Sequence, residues 1–190
     1  MRSNEEIWTA DTGAADEQCL YRPSMRLKSA FEWMSTMIVA LVAVACVFAL
    51  LFRVITVDGS SMKDTLAHGD SLVLTSLFYT PERGDIVVIN RPGSYPLIKR
   101  VIAIGGDRIR IDEESGQVYL NDILLNEPYI KGEVTPICEM VNTVTVPEGH
   151  LFVMGDNRCD SLDSRSLGTF PLSQVMGEVA WRLYPHFGHL

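Results

Sequence analysis

Histidine is scarce in this sequence, with four residues in 190, at positions 68, 150, 186 and 189. None stands in a recognisable triad context, and no CxxC or clustered Cys/His spacing offers a zinc site. No metal and no cofactor is therefore expected. Basic charge is also short: 16 Lys and Arg against 24 Asp and Glu give a net charge of −8. That balance argues against a nucleic-acid partner, because binding phosphate needs a basic surface. Cysteine is limited to four residues. Cys19 precedes a long apolar run and Cys46 lies within it. Cys138 and Cys159 share the C-terminal part, where they either pair in an oxidising compartment or stay as thiols.

Charge is missing altogether from residues 34–52, MSTMIVALVAVACVFALLF. At about 1.5 Å per helical residue this run matches the ~30 Å hydrocarbon core of a bilayer. Glu32 and Arg53 bracket it, and Trp33 stands where an interfacial aromatic anchor would. Core helices of soluble domains are seldom apolar all round for five turns. A cleaved signal peptide has a shorter apolar core and a small-x-small site, whereas bulky Phe52-Arg53-Val54-Ile55 follows here. The expectation is a retained anchor. It divides the chain into a cytoplasmic tail (1–30), a transmembrane anchor (31–53) and an extracytoplasmic β domain (54–190). Arg22, Arg26 and Lys28 before the run outnumber Arg53 and Lys63 after it, which favours an N-terminus inside.

Beyond residue 54 the pattern changes to short runs rich in Val, Ile and Leu, punctuated by Gly, Pro, Asn and Asp. Strands are expected at 54–57, 71–74, 85–90, 98–104, 108–112, 117–120, 142–146, 151–154 and 177–183. Arg108-Ile109-Arg110-Ile111 and Thr143-Val144-Thr145-Val146 alternate as half-buried strands do. Short helices are possible only at 62–67 and 171–175. The fold class is mostly β, with one N-terminal transmembrane helix. Trp181 is expected in the core beside Val179 and Leu183, two residues away on either side.

Three segments carry chemistry. Val57-Asp58-Gly59-Ser60-Ser61-Met62 places two serines after a strand, which is ordinary turn material unless a base lies near. Leu97-Ile98-Lys99-Arg100-Val101-Ile102 sets a lysine in an apolar strand. Such a lysine either lays its stem over apolar surface and sends its ammonium to water, or loses hydration and becomes a base near neutral pH. Ser-Lys pairs are a known route to an activated serine that needs no histidine. The loop from Gly155 to Arg165, GDNRCDSLDSR, is either a solvated surface loop or a brace for a site.

Taken in order, Ser61-Met62, Arg83-Gly84-Asp85-Ile86-Val87-Val88, Lys99-Arg100-Val101-Ile102, Gly155-Asp156-Asn157-Arg158, Ser161-x-Asp163-Ser164-Arg165 and Gly177-x-x-Ala180-x-Arg182 resemble the bacterial type I signal peptidases of the small, single-anchor kind. The resemblance covers about residues 30–185. It implies a membrane-bound serine endopeptidase that cleaves secretory preproteins after Ala-x-Ala-like sites, in contact with membrane lipid. It implies Ser61 as nucleophile, Lys99 as general base, Ser161 as the serine that orients the lysine, and salt bridges Asp156–Arg100 and Asp163–Arg165. Gly59 stands where some relatives carry a hydroxyl-bearing oxyanion donor. Substrate would add as a strand between residues 55–57 and 96–98, with Val57, Met62, Leu66, Leu97 and Ile98 lining the pocket for the residue before the cut. Ile55 and Ile98 would border the pocket two residues earlier. Two departures stand out: Lys63-Asp64 replaces the family's common proline two residues after Ser-Met, and Cys159 replaces a polar residue.

Two other readings compete. Self-cleaving SOS-type repressors share a similar dyad, but they carry a DNA-binding domain where this chain has its apolar run. A membrane-tethered β domain that binds peptides without cleaving them would leave Ser61 and Lys99 far apart.

Overall fold

An apolar run with no polar face has no reason to curl onto a core, and it forms one long helix. In the computed structural model, which describes residues 25–76, 79–112, 114–130 and 143–189, helix α1 spans Met25–Leu51. Its Ser29–Ala49 stretch has a mean hydropathy of 2.0 and none of it is buried, so it is long and apolar enough to cross a membrane. The hydroxyls of Ser35 and Thr36 donate to the Glu32 carbonyl at 2.9 and 2.8 Å, which satisfies them within the helix. The expected tail up to residue 24, and Cys138 with its possible partner role, lie outside the described residues. The chain divides into two units at residues 45 and 46.

The second unit is built of antiparallel β structure. Its larger sheet runs in the order β1 (Phe52–Thr56), β2 (Ser71–Thr75), β11 (Val175–Tyr184), β3 (Ile86–Ile89), β4 (Leu97–Ile104), β9 (His150–Met154) and β10 (Phe170–Pro171), with β12 (Gly188–His189) paired to β11. A smaller sheet has the order β7 (Ile123–Leu124), β6 (Val118–Leu120), β5 (Arg108–Ile111) and β8 (Thr143–Thr145). All four residues of β3 are buried, as a short unbroken apolar run demands, while β5 buries Ile109 and Ile111 and turns its arginines outward.

The Arg83-Gly84-Asp85 motif ties these strands together. Arg83 forks onto Asp107 with bonds of 2.9 and 2.6 Å, closing the turn between β4 and β5. Burial pushes the Asp107 carboxyl up, but the Arg83 guanidinium and the Ile104 and Asn121 donors outweigh it and hold the carboxyl below its ordinary range. Gly84 takes φ +98 and its carbonyl accepts Arg100 Nη1 at 2.7 Å. Asp85 accepts the Tyr79 hydroxyl at 2.6 Å.

Several elements differ from expectation. Residues 62–67 form a turn rather than a helix, and 171–175 holds only a 3₁₀ turn at Leu172–Gln174. A one-turn helix, α2 (Ser164–Leu167), stands inside the loop that composition alone reads as solvated, capped by Asp163 accepting Arg165 N–H. Trp181 is half-buried and belongs to no core cluster; β11 bulges between Val179 and Trp181, which ends the simple alternation. Its ring meets Phe52 at 6.5 Å and His189 edge-on at 6.0 Å.

Candidate active site

Strand β1 leads directly into the turn that carries Ser61. Lys63 N–H donates to the Ser60 carbonyl at 2.9 Å, and the N–H groups of Thr65 and Leu66 both reach the Met62 carbonyl. Asp64 takes φ +84, the sign required at the third position of a type II turn and one that proline cannot adopt. The Lys63-Asp64 pair is therefore a different backbone solution, not a loosened version of the proline turn. Asp64→Pro should cost more than about 1 kcal/mol and lower kcat, read by thermal unfolding and by cleavage rate.

Lys99 is the third residue of β4, 2% exposed, and its Nζ donates to Ser61 Oγ at 2.5 Å. The two residues are 38 positions apart in the chain. Burial strips water from the ammonium and lowers the Lys99 pKa to about 8; Asp163 opposes that shift and Arg165 adds to it. The folded protein thus binds fewer protons than the unfolded chain between about pH 8 and 10.5, and stability rises with pH across that window. At pH 7 the charged amine is a cost. Lys99→Met should therefore make the folded domain about 1–4 kcal/mol more stable at pH 7, with the gain fading towards pH 10.5. A melting temperature unchanged at pH 7 would contradict this.

The 155–165 loop is pressed against the dyad. Asn157 N–H donates to the Ser61 carbonyl at 3.0 Å, and its side-chain amide to the Ser60 carbonyl at 3.1 Å. Arg100 forks onto Asp156 with bonds of 2.9 and 2.7 Å, and Thr65 donates to the same carboxylate at 2.5 Å. Arg165 forks onto Asp163 at 2.9 Å for both bonds. Burial pushes the Asp163 carboxyl up, yet the Arg165, Ser161 and Gly155 donors hold it below its ordinary range, so it stays an anion. Ser161 donates its hydroxyl to Asp163 at 2.6 Å and not to Lys99, although the same hydroxyl lies at the inner face of Gly155.

Above Ser61 and Lys99 lies a mostly apolar groove of about 480 Å³. Of the residues expected to bind substrate, Ile55, Val57, Met62, Leu97 and Ile98 line it. Leu66 does not; it is buried in the core cluster that contains Val57 and Met62. Sequence reasoning missed Val88, Tyr95 and Met176, which also line the groove. Val88 closes the Arg83–Val88 motif, Met176 directly precedes Gly177 of the last motif, and Tyr95 stands two residues before Leu97, but none of the three carries a local signal for the groove. The Ser61 N–H has no hydrogen bond among the described residues and is available to a developing oxyanion. Gly59 N–H donates to His68 Nδ1 at 3.3 Å and the Ser60 hydroxyl to Asp160, so both are already engaged.

A family model described as signal peptidase, peptidase S26, matches residues 30–184. A signal peptidase I of Bacillus licheniformis is 36% identical over 83% of this chain and 90% of its own length. That of Bacillus caldolyticus is 34% identical over 77% and 87%. The solved structure of a signal peptidase I from Enterococcus faecalis is 30% identical, covers 53% of this chain and 97% of its own, and gives a TM-score of 0.45. With a family model matched over most of its length, the chain is a serine peptidase and belongs to the peptidase S26 family of signal peptidases.

Proposed function

We propose that this protein removes signal peptides from secretory preproteins by endoproteolysis after Ala-x-Ala-like sites, with Ser61 and Lys99 as its catalytic dyad. The observation that carries the reading is the 2.5 Å contact between a buried Lys99 Nζ and Ser61 Oγ at the floor of an apolar groove. Neutral Lys99 takes the Ser61 proton as Oγ attacks the scissile carbonyl carbon. The Ser61 N–H receives the oxyanion. The ammonium then gives its proton to the leaving amine, and Lys99 next deprotonates the water that releases the acyl group. Ser161, Asp156 and Arg100 support the dyad through the loop.

Strand addition supplies the binding mode. β1 is a sheet edge, and β4 meets β9 only from Arg100 onward, so Leu97, Ile98 and Lys99 keep one side open. A peptide laid between these edges would pair with both through its backbone and drop alternate side chains into the groove. Apolar alanine suits a groove lined by Met62 and Leu97. The 31–53 segment would hold the 54–190 domain at the membrane surface, outside the cytoplasm, with the 1–30 tail inside.

Purified full-length protein should cleave a precursor bearing an Ala-x-Ala site, with N-terminal sequencing of the product placing the cut. Lack of cleavage by the folded, lipid-supplied protein would defeat the reading. The pH profile is a second check. Because only the neutral amine accepts a proton, kcat/KM should climb tenfold per pH unit below the Lys99 pKa of about 8 and level off above it. A profile flat from pH 6 to 9 would remove Lys99 from the role of base.

A further inference from the structure

The tripeptide Glu127-Pro128-Tyr129 follows β7, an edge strand of the smaller sheet, yet it grips the 155–165 loop at two points. The Glu127 carboxylate receives Arg158 through both terminal nitrogens, Nη1 at 3.0 Å and Nη2 on the other oxygen. Both side chains are buried, 10% exposed for Glu127 and 1% for Arg158. From there Arg158 Nε donates to the Gly155 carbonyl at 3.0 Å. Tyr129 donates its hydroxyl to Glu127 at 2.9 Å, and Arg100 lies over its ring with the guanidinium carbon 4.2 Å from the centroid. Burial, with the Glu127 carboxylate second, holds the phenol above its ordinary pKa, so it remains a donor.

Each contact continues to the reacting atoms. Glu127 to Arg158 to Gly155 ends where the loop backbone touches the Ser61 carbonyl and the Ser161 hydroxyl: a Cβ on Gly155 would stand 2.5 and 2.2 Å from them. Tyr129 to Arg100 to Asp156 to Thr65 ends inside the turn that presents Ser61. A buried guanidinium is costly without its carboxylate, and stacking fixes the plane of the other, so both arginines have defined positions. We propose that Glu127 and Tyr129 are positioning residues for catalysis, through which the smaller sheet sets the placement of the 155–165 loop against Ser61 and Lys99. The inference rests on the Ser61–Lys99 reading and extends it to residues outside the family motifs quoted above.

Loosening the brace has a signature that lost stability alone lacks. The charged groups around Lys99 include Asp156, Asp160, Asp163 and Arg165, all on the braced loop or its helix, and burial is the largest effect that depresses the amine. Tyr129→Leu, Tyr129→Phe and Glu127→Gln would be compared with the parent as full-length protein in detergent micelles. Two readings are taken: precursor cleavage against pH, and the titration of biosynthetically ¹³Cε-labelled Lys99, assigned by its loss in Lys99→Met. For Tyr129→Leu and Glu127→Gln, kcat should fall about tenfold or more with KM within about twofold. The Lys99 titration and the acid limb should both move up by about half a pH unit or more. Tyr129→Phe, which keeps the ring over Arg100, should recover most of kcat.

Leu and Gln variants that melt earlier yet keep the parent kcat and Lys99 titration would overturn the proposal. Were the parent itself inactive, the dyad reading would fall, and the Lys99 titration would still decide the brace by shifting or not. If Tyr129→Leu does not fold, Glu127→Asp, which keeps the charge and draws it back by one methylene, is read on the same two scales. Unchanged values there overturn the proposal as well.

Discussion

Lys99→Ala should reduce kcat for precursor cleavage by at least about 10⁴-fold while the β domain stays folded. Lys99 is the only base hydrogen-bonded to Ser61 Oγ, at 2.5 Å, and no histidine or carboxylate among the described residues shares that contact. Without it the serine hydroxyl keeps its proton at any pH the protein tolerates. Ser61→Ala should cost about as much, and the double variant little more, because residues that act as a unit are strongly non-additive. Single-turnover cleavage of an Ala-x-Ala precursor measures this directly. Circular dichroism and thermal unfolding establish that the variants are folded. A double variant slower than either single one by the product of their effects would mean the two side chains act independently.

Gly155→Ala is the second large effect, and it arises without removing any functional group. The added methyl would lie 2.5 Å from the Ser61 carbonyl oxygen and 2.2 Å from Ser161 Oγ. The first of these is backbone, so the loop or the nucleophile's turn has to move. Crowding of this kind typically costs about 1–3 kcal/mol of stability. A displacement near 1 Å at a reacting group can cost about 10²-fold in rate, and we expect a loss of about 10²–10³ in kcat here. Gly59→Ala makes the useful contrast. Its methyl would meet nothing within 4 Å, but the φ of +114 is unfavourable to any side chain. That variant should lose stability through backbone strain without any contact to the loop, so its effect separates strain from crowding. Parent-like kcat in a well-folded Gly155→Ala protein would show that the loop has slack where its packing says it has none.

The sequence makes some of this legible for local reasons. Lys99 is visible because a charge inside an apolar strand contradicts the pattern around it. The strands 71–75, 97–104 and 150–154 are visible because each is a short apolar run bounded by turn residues. By contrast, β7, β10 and β12 hold two residues each, too few for any alternation to register. Asp163 and Arg165 are undecided on composition, which cannot tell a paired ion from a hydrated one; the pairing comes from the family resemblance alone, and folding brings the two residues to 0 and 2% exposure. Glu127 and Tyr129 are the hardest case. Glu127 meets Arg158 from 31 residues away, and neither residue interrupts a run or completes a spacing that one would search for. Leu66 marks the opposite error. Its motif position suggested the groove, yet the turn at Met62 folds it under the floor and into the core.

The turn at Asp64 also bears on exchange with the family pattern. The proline that the family resemblance leads one to expect at position 64 is compatible with negative φ alone, and Asp64 takes +84. The two local forms cannot be exchanged by changing one amino acid, since the ring would have to be accommodated by neighbours that have already settled around the opposite turn. A residue that suits the family pattern would be an injurious one in this background. Grafting proline into position 64 would thus test the company the residue keeps more than the residue itself.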